Sequence, residues 1–328
     1  MSMRRLFVAI ALGLALPAGA QAAGPLHLRP VARVPLSGPA VRFDYTSFDP
    51  ATHLLWISHM DASQLLAFDV RRRKIVKTIS APGVHGVIAV PELGRVFVSA
   101  TTAREVLTLN ARTGAVLARA PAGLYPDGLA YDPADHRVFV SDESGGVETV
   151  LNAAGHRIAT ITLGGEAGNV QYDDTTRRIF VDVQTRDEVA VIDPRTYRIV
   201  RRIHVSNCVN DHSLLIDSPR RLAFITCDGD AHLLILNLRT LKVTGVFKVG
   251  DSPDVLAFDS ALRRLYVSAE SGVVGVFAET ARSVRPLGLS FLATEAHSVA
   301  VDPHTHFVYF PLQQGSTGGP QLLIMRPD

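Results

Sequence analysis

A strand–turn–strand pattern recurs seven times along this chain of 328 residues. Clear copies are FDYTSFDPATHLLWISH from Phe43, PDGLAYDPADHRVFVSD from Pro126 and PDVLAFDSALRRLYVSA from Pro253. The residues that mark the turn between the two strands are Asp49, Pro91, Asp132, Asp173, Asp217, Asp259 and Asp302. Successive turn residues are 42, 41, 41, 44, 42 and 43 positions apart. A period of this length predicts a repeat architecture, because one such unit cannot bury its apolar face alone.

Each unit continues with a second hairpin, such as EVAVIDPRTYRIVRRIHV over residues 188–205. Four short strands in each repeat are typical of a β-propeller blade. The sequence therefore predicts an all-β, seven-bladed β-propeller as a single domain over residues 23–328. Its blades begin near residues 43, 85, 126, 168, 211, 253 and 296.

The last unit lacks a fourth strand, because the chain ends at LLIMRPD. The segment LHLRPVARVPL, residues 26–36, precedes the first blade and has no hairpin partner. We expect this N-terminal strand to complete blade 7, which closes the ring and removes an open sheet edge.

The first 22 residues have the pattern of a secretory signal peptide. Arg4 and Arg5 precede an apolar run from Leu6 to Leu16, and Ala20-Gln21-Ala22 provides small residues for cleavage. The run is shorter than the roughly 20 apolar residues that span a bilayer. We therefore expect cleavage near Ala22 or Ala23 and a periplasmic or secreted protein that does not span the membrane.

Composition and missing motifs exclude several functions known for propellers. The net charge of +2 gives no strong signal for nucleic-acid binding. The sequence contains no C-x-x-C-H motif for covalent haem and no G-x-S-x-G nucleophile elbow. Trp56 is the one tryptophan, which argues against the tryptophan-docked blades of quinoproteins that bind pyrroloquinoline quinone. Nothing in the sequence requires an oligomer.

The second strands of the units end in a shared pattern, which appears as VFVSA (96–100), VFVSD (138–142), IFVDV (179–183), AFITC (223–227) and LYVSA (265–269). In this pattern the chain resembles the secreted propellers with YVTN repeats, of the YncE-like group, over essentially its whole mature length. The resemblance implies the propeller fold and export. It implies no particular reaction, because members of this group mostly lack an agreed biochemical activity.

Chemically active residues recur at one position of the repeat, five residues before the turn residue. This column reads Asp44, Gly86, Asp127, Gly168, His212, Asp254 and His297. His85 and Asn169 lie one residue away from it, and Asn210 and Asp211 directly precede His212. The position is the start of the first strand of each blade, which lines the central channel. We expect these side chains to form a ligand site at one mouth of the channel, the acidic top face.

Three kinds of ligand fit such a ring. Mixed Asp and His ligands suit Zn²⁺ or another divalent transition metal, and the candidate metal ligands are Asp44, Asp127, His212, Asp254 and His297. An all-oxygen subset suits Ca²⁺. A cationic or polyhydroxylated molecule could bind through hydrogen bonds. The alternative without a ligand is a water-filled channel whose polar side chains bind nearby backbone amides.

Two cysteines, Cys208 and Cys227, both lie near the top of blade 5. In an oxidising compartment they are expected to form a disulfide, provided that the loop 208–211 folds back towards the strand. The alternative is a pair of free thiols, with Cys227 as a soft metal ligand beside His212.

The sequence supports three functional hypotheses. The preferred one is a non-catalytic exported propeller that binds a small ligand, a metal ion or an envelope protein on its top face. The second is a metal-assisted hydrolase of lactone type, in which an ion polarises a carbonyl group and Asp or His activates water. The third is a scaffold for envelope assembly that uses the rims as docking surfaces.

Overall fold

The computed structural model describes residues 24–316 and 318–328. The predicted signal peptide, residues 1–22, lies outside the described residues. The described part of the chain forms 28 β-strands in seven four-stranded antiparallel sheets. The first strands of neighbouring sheets contact one another in a closed ring, so the sheets are the blades of a propeller.

The blades follow one another along the chain. The first strand in the sequence is β1 (Leu28–Pro35). Blade 1 contains β2 (Thr46–Asp49), β3 (Leu54–His59), β4 (Gln64–Asp69) and β5 (Lys74–Ser80). Blade 2 contains β6 (Val84–Val90), β7 (Arg95–Ala100), β8 (Glu105–Asn110) and β9 (Val116–Pro121). Blade 3 contains β10 (Pro126–Asp132), β11 (Arg137–Asp142), β12 (Val147–Asn152) and β13 (Arg157–Thr162).

Blade 4 contains β14 (Ala167–Asp173), β15 (Arg178–Val183), β16 (Glu188–Asp193) and β17 (Arg198–His204). Blade 5 contains β18 (Asp211–Asp217), β19 (Leu222–Cys227), β20 (His232–Asn237) and β21 (Lys242–Lys248). Blade 6 contains β22 (Pro253–Asp259), β23 (Arg264–Ala269), β24 (Val273–Glu279) and β25 (Val284–Phe291). Blade 7 contains β26 (Ala300–Asp302), β27 (Phe307–Leu312) and β28 (Gln321–Pro327), with β1 as its outer strand. Single 3₁₀ turns follow the second strands of blades 1, 4 and 5, at Met60–Ala62, Gln184–Arg186 and Asp228–Asp230, and another follows the first strand of blade 2, at Pro91–Leu93.

Strand β1 closes the ring by antiparallel pairing with β28, from Leu28 opposite Pro327 to Pro35 opposite Gln321. The first and last described strands therefore share one blade, and the edge of β28 is covered. This confirms the prediction of an all-β, seven-bladed propeller whose N-terminal strand closes the last blade.

Aspartates shape the turn between the first and second strands in six of the blades. In blade 1, Asp49 Oδ1 accepts hydrogen bonds from the backbone N–H groups of Ala51 and Thr52, 2.9 and 3.4 Å away. Four residues after the aspartate, His53 has a left-handed conformation with φ of 58°. An aspartate that bonds its own following backbone defines a tight turn. The same left-handed position recurs at His136, Arg177, Arg221, Arg263 and His306.

The apolar core lies between the blades rather than at one centre. The described residues form seven clusters, and each one joins two neighbouring sheets. The second strands supply much of this core, and every residue of β3 is buried. No helix in the described part of the chain is long and apolar enough to cross a membrane.

Candidate ligand site at the channel mouth

A backbone irregularity aims the column residues away from their own sheets. The pairing of β6, β10, β14, β18 and β22 with the next strand shifts near the start of each strand, for example between Pro126 and Leu129. A β-bulge of this kind leaves residues unpaired and re-aims their side chains. Asp127, His212 and Asp254 lie at such shifts and wall one cavity. The cavity has a volume of about 410 Å³.

This mouth cavity lies at the end of the channel where the first strands begin and the second strands finish. Its wall includes Tyr125 and Pro253, which stand before or at the start of first strands, and Met60 and Glu270, which follow second strands. We call the acids, the arginine and the histidines at its base the mouth cluster. Its members are Arg42, Asp44, His85, Asp127, His212, Asp254, Glu270 and His297.

Arg42 holds three of the carboxylates in the mouth cluster. Its guanidinium group lies 3.2 Å from Asp44 Oδ2, 3.5 Å from Asp254 Oδ2 and 2.6 Å from Glu270 Oε1. The three acids come from blades 1 and 6, so this single side chain bridges two blades that are not neighbours. Arg42 stands only two residues before Asp44, but it lies outside the repeating column and was not predicted as a site residue.

His85 lies between two buried carboxylates. Its Nε2 atom is 3.1 Å from Asp44 Oδ2 and 3.5 Å from Asp127 Oδ1. Burial lowers the pKa of His85, but the charges of Asp127 and Asp44 outweigh it and raise the pKa to about 10. His85 is therefore an imidazolium at neutral pH. Burial raises the pKa of Asp44, but the charge and hydrogen bond of His85 outweigh it, and this pKa falls well below its usual range.

His212 has the same role on the other side of the cavity. Its Nε2 atom lies 3.4 Å from Asp254 Oδ1, and its Nδ1 atom lies 3.0 Å from Gln184 Oε1. Burial lowers the pKa of His212, but the hydrogen bond and charge of Asp254 raise it to about 10. Burial also raises the pKa of Asp127 to about 6, partly offset by His85, so this carboxyl group is mostly ionised at neutral pH.

His297 differs from the other two histidines. It is 1% exposed, and its Nε2 atom lies 4.0 Å from Asp44 Oδ2 and 3.9 Å from Asp254 Oδ2. Neither ring nitrogen has a hydrogen-bond partner among the described residues. A buried imidazole without partners is unusual, because buried polar atoms are nearly always hydrogen-bonded.

The cavity and the mouth cluster are negative on balance. Six carboxyl groups are present, on Asp44, Asp127, Glu143, Asp228, Asp254 and Glu270. Three groups carry positive charge, namely Arg42, His85 and His212. A low-dielectric cleft with this imbalance attracts cations.

Three residues predicted for the ligand site lie outside both the cavity wall and the mouth cluster. Asn169 lies near the cluster, where its Nδ2 atom donates to Tyr45 Oη at 2.9 Å and to Ser213 Oγ at 3.2 Å. Asn210 is exposed on the loop before β18, and its backbone N–H bonds Asp187 Oδ1 at 2.9 Å. Asp211 is fully buried, and its side chain interacts with Asp182 instead of the mouth cavity.

Cys208 and Cys227 form a disulfide with a Cα–Cα distance of 5.3 Å. The bond attaches the loop before β18 to the end of β19, where Cys227 is paired with Asp211. Cys227 is therefore committed to the disulfide rather than free to bind a metal.

The fold and the cluster together define a seven-bladed β-propeller with an acidic, histidine-containing channel mouth. The chain is similar in structure to Kuenenia stuttgartiensis hydrazine synthase, with 13% identity and a TM-score of 0.74 over 96% of this chain and 100% of that one. It is also similar to a chain of a mitotic checkpoint complex, with 10% identity and a TM-score of 0.75 over 99% of each chain. No model of a known protein family matches the chain, and no curated protein is similar to it in sequence. At these identities the likeness shows the fold alone.

Proposed function

We propose that this chain is an exported propeller of the YVTN type that binds a small, positively charged ligand in the mouth cavity and catalyses no reaction. The observation that carries the proposal is the mouth cluster itself. Its acids are held in place by Arg42, His85 and His212, yet a cavity of about 410 Å³ remains above them. Side chains that are already ordered lose little entropy when a ligand binds, so such a site is preorganised.

Export is supported by the signal-peptide pattern of residues 1–22 and by the use of both cysteines in one disulfide. Disulfides persist in oxidising compartments such as the periplasm. The YVTN pattern at the ends of the second strands agrees with both.

The test is native mass spectrometry of untagged protein taken from the exported fraction of its host. The wild type is expected to carry a bound species that is absent in Asp254→Asn, because this change removes a charge that faces Arg42, His212 and His297. His304→Ala is the matched control, since His304 is exposed at the opposite end of the channel. A species that remains in Asp254→Asn, or no species in the wild type, would contradict the proposal.

A metal-assisted hydrolase of lactone type is the alternative, and it would use the same cavity. One observation favours it: Asp127 lines the cavity, and its Oδ1 atom accepts no hydrogen bond within the described residues beyond its ion pair with His85 Nε2 at 3.5 Å, so this carboxylate can act as a base towards water. Opening of a lactone panel by the wild type, and its loss in Asp127→Asn, would favour hydrolysis over binding alone. An envelope scaffold would instead retain its protein partners in both Asp127→Asn and Asp254→Asn.

A further inference from the structure

We infer that Asp44, Asp254 and His297 form a centre for one divalent transition-metal ion, and that Arg42 occupies this centre as a competing internal cation. The inference rests on the proposed function, because it names the ligand class of the same cavity. It differs from the sequence-based ligand set in leaving out Asp127 and His212.

The three residues converge from three consecutive blades of the closed ring, blades 6, 7 and 1. One side-chain ligand atom from each lies within 4.8 Å of the other two. Around a zinc ion, nitrogen and oxygen ligands lie at about 2.0–2.2 Å, which places them roughly 3–4 Å from one another. The separations from His297 Nε2 to Asp44 Oδ2 and Asp254 Oδ2, 4.0 and 3.9 Å, need only small shifts to meet that geometry.

Orphaned polar atoms point to a missing ligand at this position. Three buried atoms have no hydrogen-bond partner within the described residues. They are the two ring nitrogens of His297 and the Oδ1 atom of Asp44. A bound ion would satisfy one nitrogen of His297, because an imidazole coordinates through a single ring nitrogen, and carboxylates are also metal ligands. The single imidazole favours a transition metal such as Zn²⁺ over Ca²⁺, which prefers oxygen ligands alone.

The remaining histidines fit the role of supporting groups. His212 contacts Asp254 through Oδ1, which leaves Oδ2 on the side of His297, and Gln184 in turn contacts His212. His85 Nε2 contacts Asp44 Oδ2, the oxygen that also faces His297, at 3.1 Å, and its Nδ1 atom lies 3.4 Å from Thr101 Oγ1. Outer groups that hydrogen-bond the ligating carboxylates are the usual second layer of a metal site.

Arg42 makes the inference unusually easy to test. Its guanidinium group contacts the same oxygens, Asp44 Oδ2 and Asp254 Oδ2, that face His297. A metal ion bound to these oxygens would repel the positively charged guanidinium group of Arg42 and compete with it for the same lone pairs. Arg42 must therefore swing away when the ion binds, and its side chain, 29% exposed, has room above it in the cavity. For an anionic or polyhydroxylated ligand the opposite holds, because Arg42 would then supply hydrogen bonds.

The experiment is calorimetric titration of zinc chloride into the untagged mature protein after removal of metals with a chelator. The wild type is expected to bind one ion per chain. His297→Gln and Asp254→Asn are expected to weaken binding at least tenfold, whereas Arg42→Gln is expected to tighten it severalfold. His304→Ala, at the exposed end of the His304-Thr305-His306 turn, is the matched control and should bind as the wild type does.

Loss of zinc binding in His304→Ala, or unchanged binding in His297→Gln, would overturn the inference. Weaker zinc binding in Arg42→Gln would also overturn it. Because this variant is expected to bind zinc more tightly, its result does not depend on whether His297→Gln and Asp254→Asn fold well. If the wild type binds no zinc but still retains an organic species in mass spectrometry, the metal centre is wrong while the proposed mouth function stands.

Discussion

Asp182 of blade 4 and Asp211 of blade 5 form a buried pair of carboxyl groups at the junction of the two blades. Both residues are fully buried, and no side chain outside the pair hydrogen-bonds their carboxyl oxygens among the described residues. Burial raises the pKa of both groups, and the charge of Asp182 raises that of Asp211 further. Neighbouring carboxyl groups of this kind cannot both ionise at low cost.

The repeat shows that Asp182 is an exception to its own position. The corresponding residues of the other second strands are small hydroxyl residues in five blades, namely Ser58, Ser99, Ser141, Thr226 and Ser268. In blade 2 the hydroxyl group of Ser99 donates to the backbone carbonyl of Asp127, 2.8 Å away, and so joins two blades. In blade 4 an acid replaces that hydroxyl group.

Asp182→Ser is therefore expected to stabilise the protein at neutral and higher pH. In the unfolded chain Asp ionises near pH 4, whereas burial raises the pKa of Asp182 to about 8, so the wild type loses stability as the pH rises from about 4 to about 8. The variant should be more stable by about 1–3 kcal/mol at pH 8, with a much smaller gain at pH 4, as measured by urea unfolding. Asp174→Ser, at an exposed aspartate of the same blade, is the control. An equal gain at both pH values would show that the charge of Asp182 is not the cause.

Arg221 links blade 5 to blade 4. It has the left-handed conformation at the end of its turn, and its guanidinium group donates to both carboxylate oxygens of Asp173. Both side chains are buried, so Arg221→Ala would leave Asp173 without its main partner. We expect a loss of about 3–5 kcal/mol in the free energy of unfolding. Arg198→Ala, at an exposed position of blade 4, is the control and should change the free energy of unfolding by only a few tenths of a kcal/mol. A similar loss of stability in the two variants would refute the role of the Arg221–Asp173 pair.

The disulfide is expected to contribute about 2–4 kcal/mol to stability by restricting the unfolded chain. The Cys208→Ser/Cys227→Ser double variant should unfold at a lower urea concentration than the oxidised wild type. Reduction of the wild type should move its unfolding midpoint to that of the variant, because the bond is then absent in both. A midpoint that does not respond to reductant would show that the bond does not stabilise the fold.

Removal of the N-terminal strand is expected to unfold or aggregate the protein. A chain that begins at Leu36 lacks β1, so the edge of β28 and the apolar cluster between blades 7 and 1 become exposed. A chain that begins at Gly24 keeps β1 and should behave as the mature protein does. Circular dichroism and size-exclusion chromatography compare the two, and a folded monomer without β1 would contradict the closure by this strand.

The fold was predictable because the same strand–turn–strand pattern occurs seven times in the sequence. One ambiguous strand is weak evidence, but seven turn residues at nearly equal spacing leave few alternatives to a propeller. The same alignment predicted Asp44, Asp127, His212, Asp254 and His297 as a group, since equivalent residues of a ring must face a common axis.

The finer features of the site were not predictable in this way. A bulge near the start of five first strands decides which of two adjacent side chains enters the cavity, and the pattern of residues does not reveal it. His85 consequently joins the mouth cluster, whereas Asp211 turns towards Asp182. Arg42 precedes the repeat unit and has no equivalent in the column, so only the structure connects it with Asp254 and Glu270.

The most direct test of the account is anomalous X-ray diffraction at the zinc edge, from crystals of the untagged protein grown with zinc chloride. The account predicts one strong peak at the channel mouth, within bonding distance of Asp44, Asp254 and His297, with the Arg42 side chain displaced from Asp254. A peak only at His304 and His306, or a mouth that holds no zinc and leaves Arg42 bonded to both aspartates, would contradict it.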